Sequence, residues 1–468
     1  MNSVKKNFMY NSISSILTII VPIITTPYIS RILGPSGLGT YSYNYSIATY
    51  FVTFAMLGLN SYGNRTIASV RENKEKCSKV FWEIYYMQMS IGIISVIIYI
   101  CYASLFSKNR LMSYIMLAYA ISAIFDINWF FYGMELFKLT VTRNVTIKVI
   151  TTCLIFVLIR TKDDLWKYSA IIAFGALVSQ IALWPFLRQY VQFVKISFYD
   201  VLKHVKPNLI LFIPAIAVSV YKLMDKIMLG MMTDMKEVGY YEAAEKLIQI
   251  PNTLVASLGT VMLPRMSNLV SKDENGKIKE YINKAIIVVM LISVPISLGI
   301  MATANQIVPI FFGAGYEKCI IILQFLMLSC IFVGVANVIR TQYLIPKKYD
   351  DIYIKSVFGG AVINAIVNLL LISKLQSIGA AIGTLCAEIV VCVYQLWKVR
   401  KELDIRGYLR NIIYILVCGI VMFCVVTFFQ FSNANYLLRL ILRIAIGAIT
   451  FLVMCGSMFL LKYKKEKQ

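Results

Sequence analysis

One histidine, His204, serves a chain of 468 residues. A single imidazole without other suitable ligands assembles neither a histidine-based acyl-transfer site nor a metal centre. The ten cysteines form no CxxC pair. Several of them, Cys101, Cys153, Cys330 and Cys392, lie within apolar runs and read as small buried hydrophobes. No metal site and no cofactor is therefore expected. A GxxxxGK[ST] loop is missing, which excludes ATP hydrolysis within this chain. Charge is sparse: 15% of residues are charged, against about 25% in soluble domains. Acidic residues are scarcest, with 23 Asp and Glu against 46 Lys and Arg. Long polar stretches are lacking too, so no separate soluble domain is available to carry out surface chemistry.

What is present is oil. Hydrophobic residues make up 59% of the chain, and apolar runs near twenty residues recur along it, which predicts an all-α integral membrane protein. The runs do not alternate polar with apolar, so a β-barrel is not expected. The N-terminal MNSVKKNFMYNSISS leads into an apolar run too long for a cleavable signal and is read as the start of a first span. About fourteen transmembrane helices are predicted, near 11–31, 38–60, 82–106, 112–132, 143–160, 169–187, 207–230, 240–264, 283–304, 319–340, 355–373, 378–397, 411–430 and 437–461.

The basic excess follows the connections. Alternate ones, with both termini, hold 31 Lys and Arg, and the opposite set holds 10. By the positive-inside rule both termini are expected in the cytoplasm. The formal charge of +23 then serves topology and anionic membrane lipids, and no nucleic acid partner is needed. An internal repeat lies beneath the pattern. SGLGTYSYNYSIATY at 36–50 aligns with KEVGYYEAAEKLIQI at 236–250, Gly39 over Gly239 and Tyr41 over Tyr241. Ile-Leu-Gly at 32–34 and Met-Leu-Gly at 228–230 precede the two copies. Span one thus matches span seven. The chain divides into a six-helix lobe at 1–206, a second at 207–400, and two extra helices with a basic tail at 401–468. Six spans separate the copies, so the lobes share one membrane orientation, with a path between them.

Charges inside spans are the candidate functional residues, because a charge at membrane depth costs about 2.5–3.5 kcal/mol on insertion scales. Span seven carries Lys222, Asp225 and Lys226, spaced to share one helical face. Glu242, Glu245 and Lys246 follow at the start of span eight. Lys222–Asp225 and Glu242–Lys246 could equally be intrahelical pairs that neutralise themselves. Arg31 ends span one, either as an interfacial anchor or as a cation suited to phosphate at the mouth of a path. Asp126 opens DINWFFYGME at the inner end of span four, where Trp129 and Tyr132 fit an aromatic belt; Lys148 is a conceivable partner for Asp126 or Glu135. Glu388 is a lone carboxylate in mid-span twelve, either a hydrogen-bonded interior residue or a carrier of a coupling proton.

The run SILTIIVPIITTPYISRILGPSGLGTYSYNYSIATYF resembles the start of polysaccharide repeat-unit flippases of the Wzx type, in the multidrug/oligosaccharidyl-lipid/polysaccharide exporter superfamily. So do NSYGNR at 60–65, read as a turn, DINWFFYGME, YKLMDKIMLG with EVGYYEAAEK, and GAGY at 313–316. The resemblance covers nearly the whole chain. It implies two six-helix lobes around a central cavity, in a bacterial cell membrane. The implied cargo is an oligosaccharide on undecaprenyl pyrophosphate, flipped outward for capsule, O-antigen or other surface polysaccharide. A polysaccharide polymerase and other synthesis proteins are implied as further partners. Under this resemblance Arg31, Lys222 and Lys226 would contact pyrophosphate or acidic sugars, with Asp225 positioning Lys226, and Glu388 is the candidate for a proton-coupled return. Rival readings are a drug or cation exporter or a peptidoglycan-precursor flippase of the same superfamily, and a membrane polysaccharide polymerase. A cation exporter should have an acidic path and a polymerase a reactive pair on an outer loop; neither pattern is seen.

Overall fold

The structure, a computed structural model, describes the backbone of residues 2–429 and 435–467. Side chains at 2–19, 214, 215, 217, 218, 220, 221, 436 and 458–467 lie outside the described set, and with them Lys5, Lys6 and the lysines of the tail. Among the described residues there is no strand. Two compact units emerge, Met1–Gly230 and Met231–Gln468.

The first unit contains α1 (Asn2–Met56), α2 (Leu59–Val70), α3 (Lys74–Leu105), α4 (Arg110–Ser122), α5 (Asn128–Gly133), α6 (Phe137–Leu158), α7 (Leu165–Ile181), α8 (Trp184–Leu187), α9 (Phe198–Leu202) and α10 (Val205–Met232). The second contains α11 (Met235–Ser271), α12 (Asn275–Phe312), α13 (Cys319–Ile339), α14 (Asp350–Leu375), α15 (Ser377–Val399), α16 (Ile405–Phe428) and α17 (Tyr436–Lys467). Among the described residues ten helical stretches are long and apolar enough to cross a membrane. α1, α4 and α10 carry the remaining expected spans, α1 holding two. Side chains confirm a lipid-facing exterior: Ile93, Ile94, Ile97 and Ile98 of α3 are all exposed, an apolar surface that acyl chains can cover.

Spans one and two were expected as separate helices with several residues between them. They meet instead at one residue, Gly34, whose φ of 66° and ψ of 178° lie in a region essentially reserved for glycine. Pro35 follows, with its φ preset for a helix start and no N–H to strand. The expected turn at 60–65 is also absent, since NSYGNR lies within α2. There Gly63 lets the α5 indole close in: a Cβ on it would stand 2.6 Å from Cε3 of Trp129. Trp129 is accordingly no belt residue. It is fully buried, stacks on Phe81 at 5.5 Å, and donates its indole N–H to Oε1 of Gln88 at 2.9 Å. Enclosure by α2 and α3 overrides the belt assignment, which rested on sequence depth alone.

Each unit repeats one packing scheme. α1 packs on α3 and α4, and α4 on α7; α11 packs on α12 and α13, and α13 on α15. In span numbers these are the same pairs, shifted by six. α16 and α17 lie on α12, where Gly419 admits Val294 and Leu298 and Asn411 donates to Asn283 at 2.9 Å. The sequence division at 206 gave α10 to the second lobe, and 401–468 formed a third part. Contacts group α10 with the first unit and α16 and α17 with the second. The cause in α10 is close approach to α1 and the segment after it: Gly58 faces Asn208 and Leu211, and Gly230 faces Tyr43.

Candidate functional site

α10 runs unbroken through Lys222, Asp225 and Lys226. Spacing sets them on one side, and packing then separates them. Lys222 is exposed, whereas Asp225 and Lys226 are only 3% and 8% exposed. Both buried groups are engaged electrostatically or by hydrogen bonding. The carboxylate of Asp225 lies near enough to Tyr50 of α1 to act on its hydroxyl. One turn on, a Cβ at Gly230 would come within 2.2 Å of Cδ2 of Tyr43. A polar seam thus joins α10 to the tyrosine-rich half of α1, where Tyr41 stacks on Tyr45 and meets Tyr168 of α7. Arg31 stands exposed, three residues before the Gly34 break, and is itself engaged with a neighbour.

Asp126 sits in a carboxylate–amide–guanidinium network. It accepts from the backbone N–H and the side-chain amide of Asn128, at 2.9 and 2.7 Å, and from Gln180 at 3.2 Å. Arg143 of α6 closes the ring, donating to Asn128 Oδ1 at 2.6 Å, Gln180 Oε1 at 2.9 Å and the Ser179 carbonyl at 2.6 Å. The cation beside Asp126 is therefore Arg143, and Glu135 pairs with Arg71 at 2.7 Å; neither pairing uses Lys148. Nothing local in the sequence marks Arg143 as the partner of a carboxylate 17 positions away.

In the second unit Glu242 and Lys246 form an intrahelical pair at 3.4 Å, the bland alternative that their spacing allowed. Glu245 is half-buried between their turns and also engaged. Tyr241 shares a hydrogen bond with Thr384 of α15 at 2.8 Å. At the start of α11, Asp234 caps the helix by accepting from the N–H of Glu237 at 3.0 Å. Glu237 then accepts from Lys318 at 2.7 Å and from the backbone N–H and hydroxyl of Ser377. Lys318 also donates to Gln376 at 2.5 Å. Glu388 is half-buried on α15, close enough to the thiols of Cys330 and Cys392 to act on both. Asn364 and Asn368, one turn apart on α14, are fully buried and bonded to each other at 3.2 Å. Neither asparagine was singled out from sequence, where an amide in an apolar run carries little signal.

His204, without an evident partner in sequence, has two. Its Nε2 lies 2.9 Å from Oε2 of fully buried Glu83 and its Nδ1 lies 2.5 Å from the Tyr62 hydroxyl. The neutral Nε2–H form satisfies both contacts, donating to the carboxylate and accepting from the phenol. Burial holds the imidazole pKa below its ordinary 6.5, against the opposing pull of Glu83. Lys203 supplies the countercharge, 2.9 Å from Glu83. Burial pulls its pKa down, and the Glu83 and Asp200 carboxylates together more than reverse that, so Lys203 stays cationic.

Set against known proteins, residues 4–270 match the sequence pattern of the polysaccharide biosynthesis protein family, and residues 140–447 that of the lipid II flippase MurJ. An O-antigen transporter of Escherichia coli K12 is 23% identical over 406 residues, 86% of this chain and 97% of its own length. Among solved structures, lipid II flippase MurJ in an inward closed conformation superposes with a TM-score of 0.72 at 19% identity, covering 99% of both chains. An inward-facing multidrug resistance MATE transporter of the MOP superfamily gives 0.60 at 14% identity, over 82% of this chain and 98% of its own. These two likenesses are of fold.

Proposed function

From the premise that this multi-pass membrane protein belongs to the polysaccharide biosynthesis family of the MOP superfamily, we propose that it flips undecaprenyl-pyrophosphate-linked oligosaccharide repeat units from the cytoplasmic to the outer leaflet. The observation that carries the reading is Lys226, a cation buried beside Asp225 in the second half of a largely apolar span. Such a group is costly unless it serves a polar path. Lys226 and Arg31 bind the pyrophosphate or acidic sugars, Lys222 extends that surface, and Asp225 orients Lys226. Glu242 and Lys246 hold a neutralised polar stretch at the start of α11. Glu388, Asp126 and Glu245 are the candidate groups for a coupling proton or ion, with Glu388 first. The termini face the cytoplasm, because the basic connections stay where the membrane potential and anionic lipids favour them. Alternating access moves the headgroup, and no covalent bond is made or broken. Polymerase and other synthesis proteins take the flipped unit onward.

A second reading, flipping of the peptidoglycan precursor, is favoured by the match of residues 140–447 to the MurJ pattern. Both cargoes share a prenyl pyrophosphate and differ in the sugar. The deciding experiment is transport of defined lipid-linked oligosaccharides and of lipid II by purified protein in liposomes. Movement of the oligosaccharide carrier alone supports the first reading; movement of lipid II alone supports the second. Lys226→Ala should abolish transport and surface polysaccharide while the protein still inserts. Wild-type rates in that variant would remove Lys226 from the site.

A further inference from the structure

A cavity of about 320 Å³ opens within the second unit, among the ends of α12, α13, α16 and α17. These ends lie opposite the basic connections 265–280, 340–355 and 398–410, so the cavity is on the side of the membrane where positive charge is sparse. Yet two guanidinium groups line it, Arg439 and Arg443, one helical turn apart on α17, and among the described residues no carboxylate does. Arg443 is only 5% exposed. Its Nε and one terminal nitrogen donate to the carbonyl of Val426 at 3.0 and 2.8 Å. That carbonyl belongs to the last turn of α16, and the contact fixes the guanidinium plane. Three carboxamides line it as well: Asn305, Gln306 and Gln324. Gln324 donates to the Met301 carbonyl at 3.4 Å. Gln306 is only 7% exposed, and its Oε1 is a buried acceptor with no hydrogen-bond partner.

We propose that this cavity holds the phosphate headgroup of an anionic lipid. Two guanidinium cations one turn apart repel each other, and an anion bound between them offsets that repulsion. Guanidinium is suited to phosphate, since its planar fork places two N–H groups on two oxygens. Gln306 Oε1 needs a donor, which phosphate diesters lack and a hydroxyl supplies. A phosphoglycerol headgroup offers both features: the phosphate meets Arg439 and Arg443, and a glycerol hydroxyl meets Gln306. Exposed Leu438, Ile441 and Ile444 on the same helix give the acyl chains an apolar surface beside the headgroup. The inference rests on the helices spanning a bilayer and is independent of which cargo the protein moves.

The test is native mass spectrometry of the purified full-length chain titrated with phosphatidylglycerol, phosphatidylcholine, undecaprenyl phosphate or inorganic phosphate. Wild-type protein should bind phosphatidylglycerol at least about tenfold more tightly than Arg443→Gln or Arg439→Gln, the effect expected of one charge-assisted hydrogen bond. Met301→Trp keeps both arginines and fills the cavity, so it should weaken binding even where an arginine variant fails to fold. Preference for undecaprenyl phosphate with the same arginine dependence also supports a phosphate lipid and identifies it as the carrier. Equal binding by wild type and all three variants overturns the proposal, as does equal binding of phosphatidylcholine. Arginine-dependent capture of inorganic phosphate without capture of either lipid reassigns the cavity to a free anion and overturns it as well.

Discussion

Tyr41 in the first unit stands against Tyr168 of α7, and Tyr241, two hundred residues on, meets Thr384 of α15. α7 and α15 are the sixth and twelfth spans, so the aligned tyrosines touch equivalent helices in their own units. The frame is shared, and what it carries is not. Ser42, Tyr45 and Ser46 in the first copy are replaced by Glu242, Glu245 and Lys246 in the second. The first unit fills this helix with hydroxyls and stacked rings; the second fills it with charges, of which Glu242 and Lys246 pair within the helix. The glycines of the Leu-Gly pairs that precede the two copies differ as well. Gly34 has open space around its Cα and an extreme backbone angle, whereas Gly230 is helical and pressed against Tyr43. Duplicated folds therefore keep helix pairings, set by apolar packing, and let polar chemistry diverge.

Several substitutions would break or sharpen this contrast. The largest effect is expected at the Asp126 network. Arg143→Leu leaves a membrane-embedded carboxylate without its cation and should cost about 3–5 kcal/mol, read as a fall in melting midpoint of the detergent-purified protein. Lys318→Leu should cost less, because Lys318 is part-exposed and Glu237 keeps its Ser377 donors. A larger loss for Lys318→Leu would reverse the ranking of the two units.

The glycine pair comes next. Gly230→Ala forces a methyl into an aromatic ring, about 1–3 kcal/mol, and Gly34→Ala strains the backbone by about 1–3 kcal/mol. The distinction is in rescue: Tyr43→Ala should offset part of the Gly230→Ala loss and none of the Gly34→Ala loss. Equal rescue of both would show the two glycines to be alike after all. Tyr241→Phe should lower stability by only about 0.5–1.5 kcal/mol, the worth of one hydrogen bond.

The smallest expected effect is a pH dependence confined to the first unit. The His204 pKa is depressed on folding, so the unfolded chain binds the proton more readily. Stability should be full above pH 6.5 and fall as pH drops below it toward the folded value. His204→Gln should flatten that limb of the melting curve; an unaltered limb would assign it to other groups.

Much of the architecture was legible in the sequence because the bilayer imposes it. Backbone groups cannot be left unpaired in hydrocarbon, so twenty-residue apolar runs must be helices, whatever their neighbours. The site was legible only as a set of ionisable positions. Lys226 and Asp225 stand out in an apolar span, since their presence is improbable there without cause. Arg143, Glu237 and Lys318 were missed because each lies near a span end, where charge is unremarkable. Trp129 was misplaced for a related reason: depth along a span says nothing about which neighbours enclose an indole.

The sequence by itself determined the class, the helices and the twofold repeat, through hydrophobicity, charge placement and an offset of 200 residues. Tertiary structure alone decided which charges face one another, that two spans join through a single glycine, that α10 packs with the first unit, and that two arginines share a cavity with an unsatisfied glutamine. The reason is physical. Helix formation in a membrane is a local response to solvent, whereas pairing depends on close approach between segments tens or hundreds of residues apart, which the pattern of any one segment does not encode.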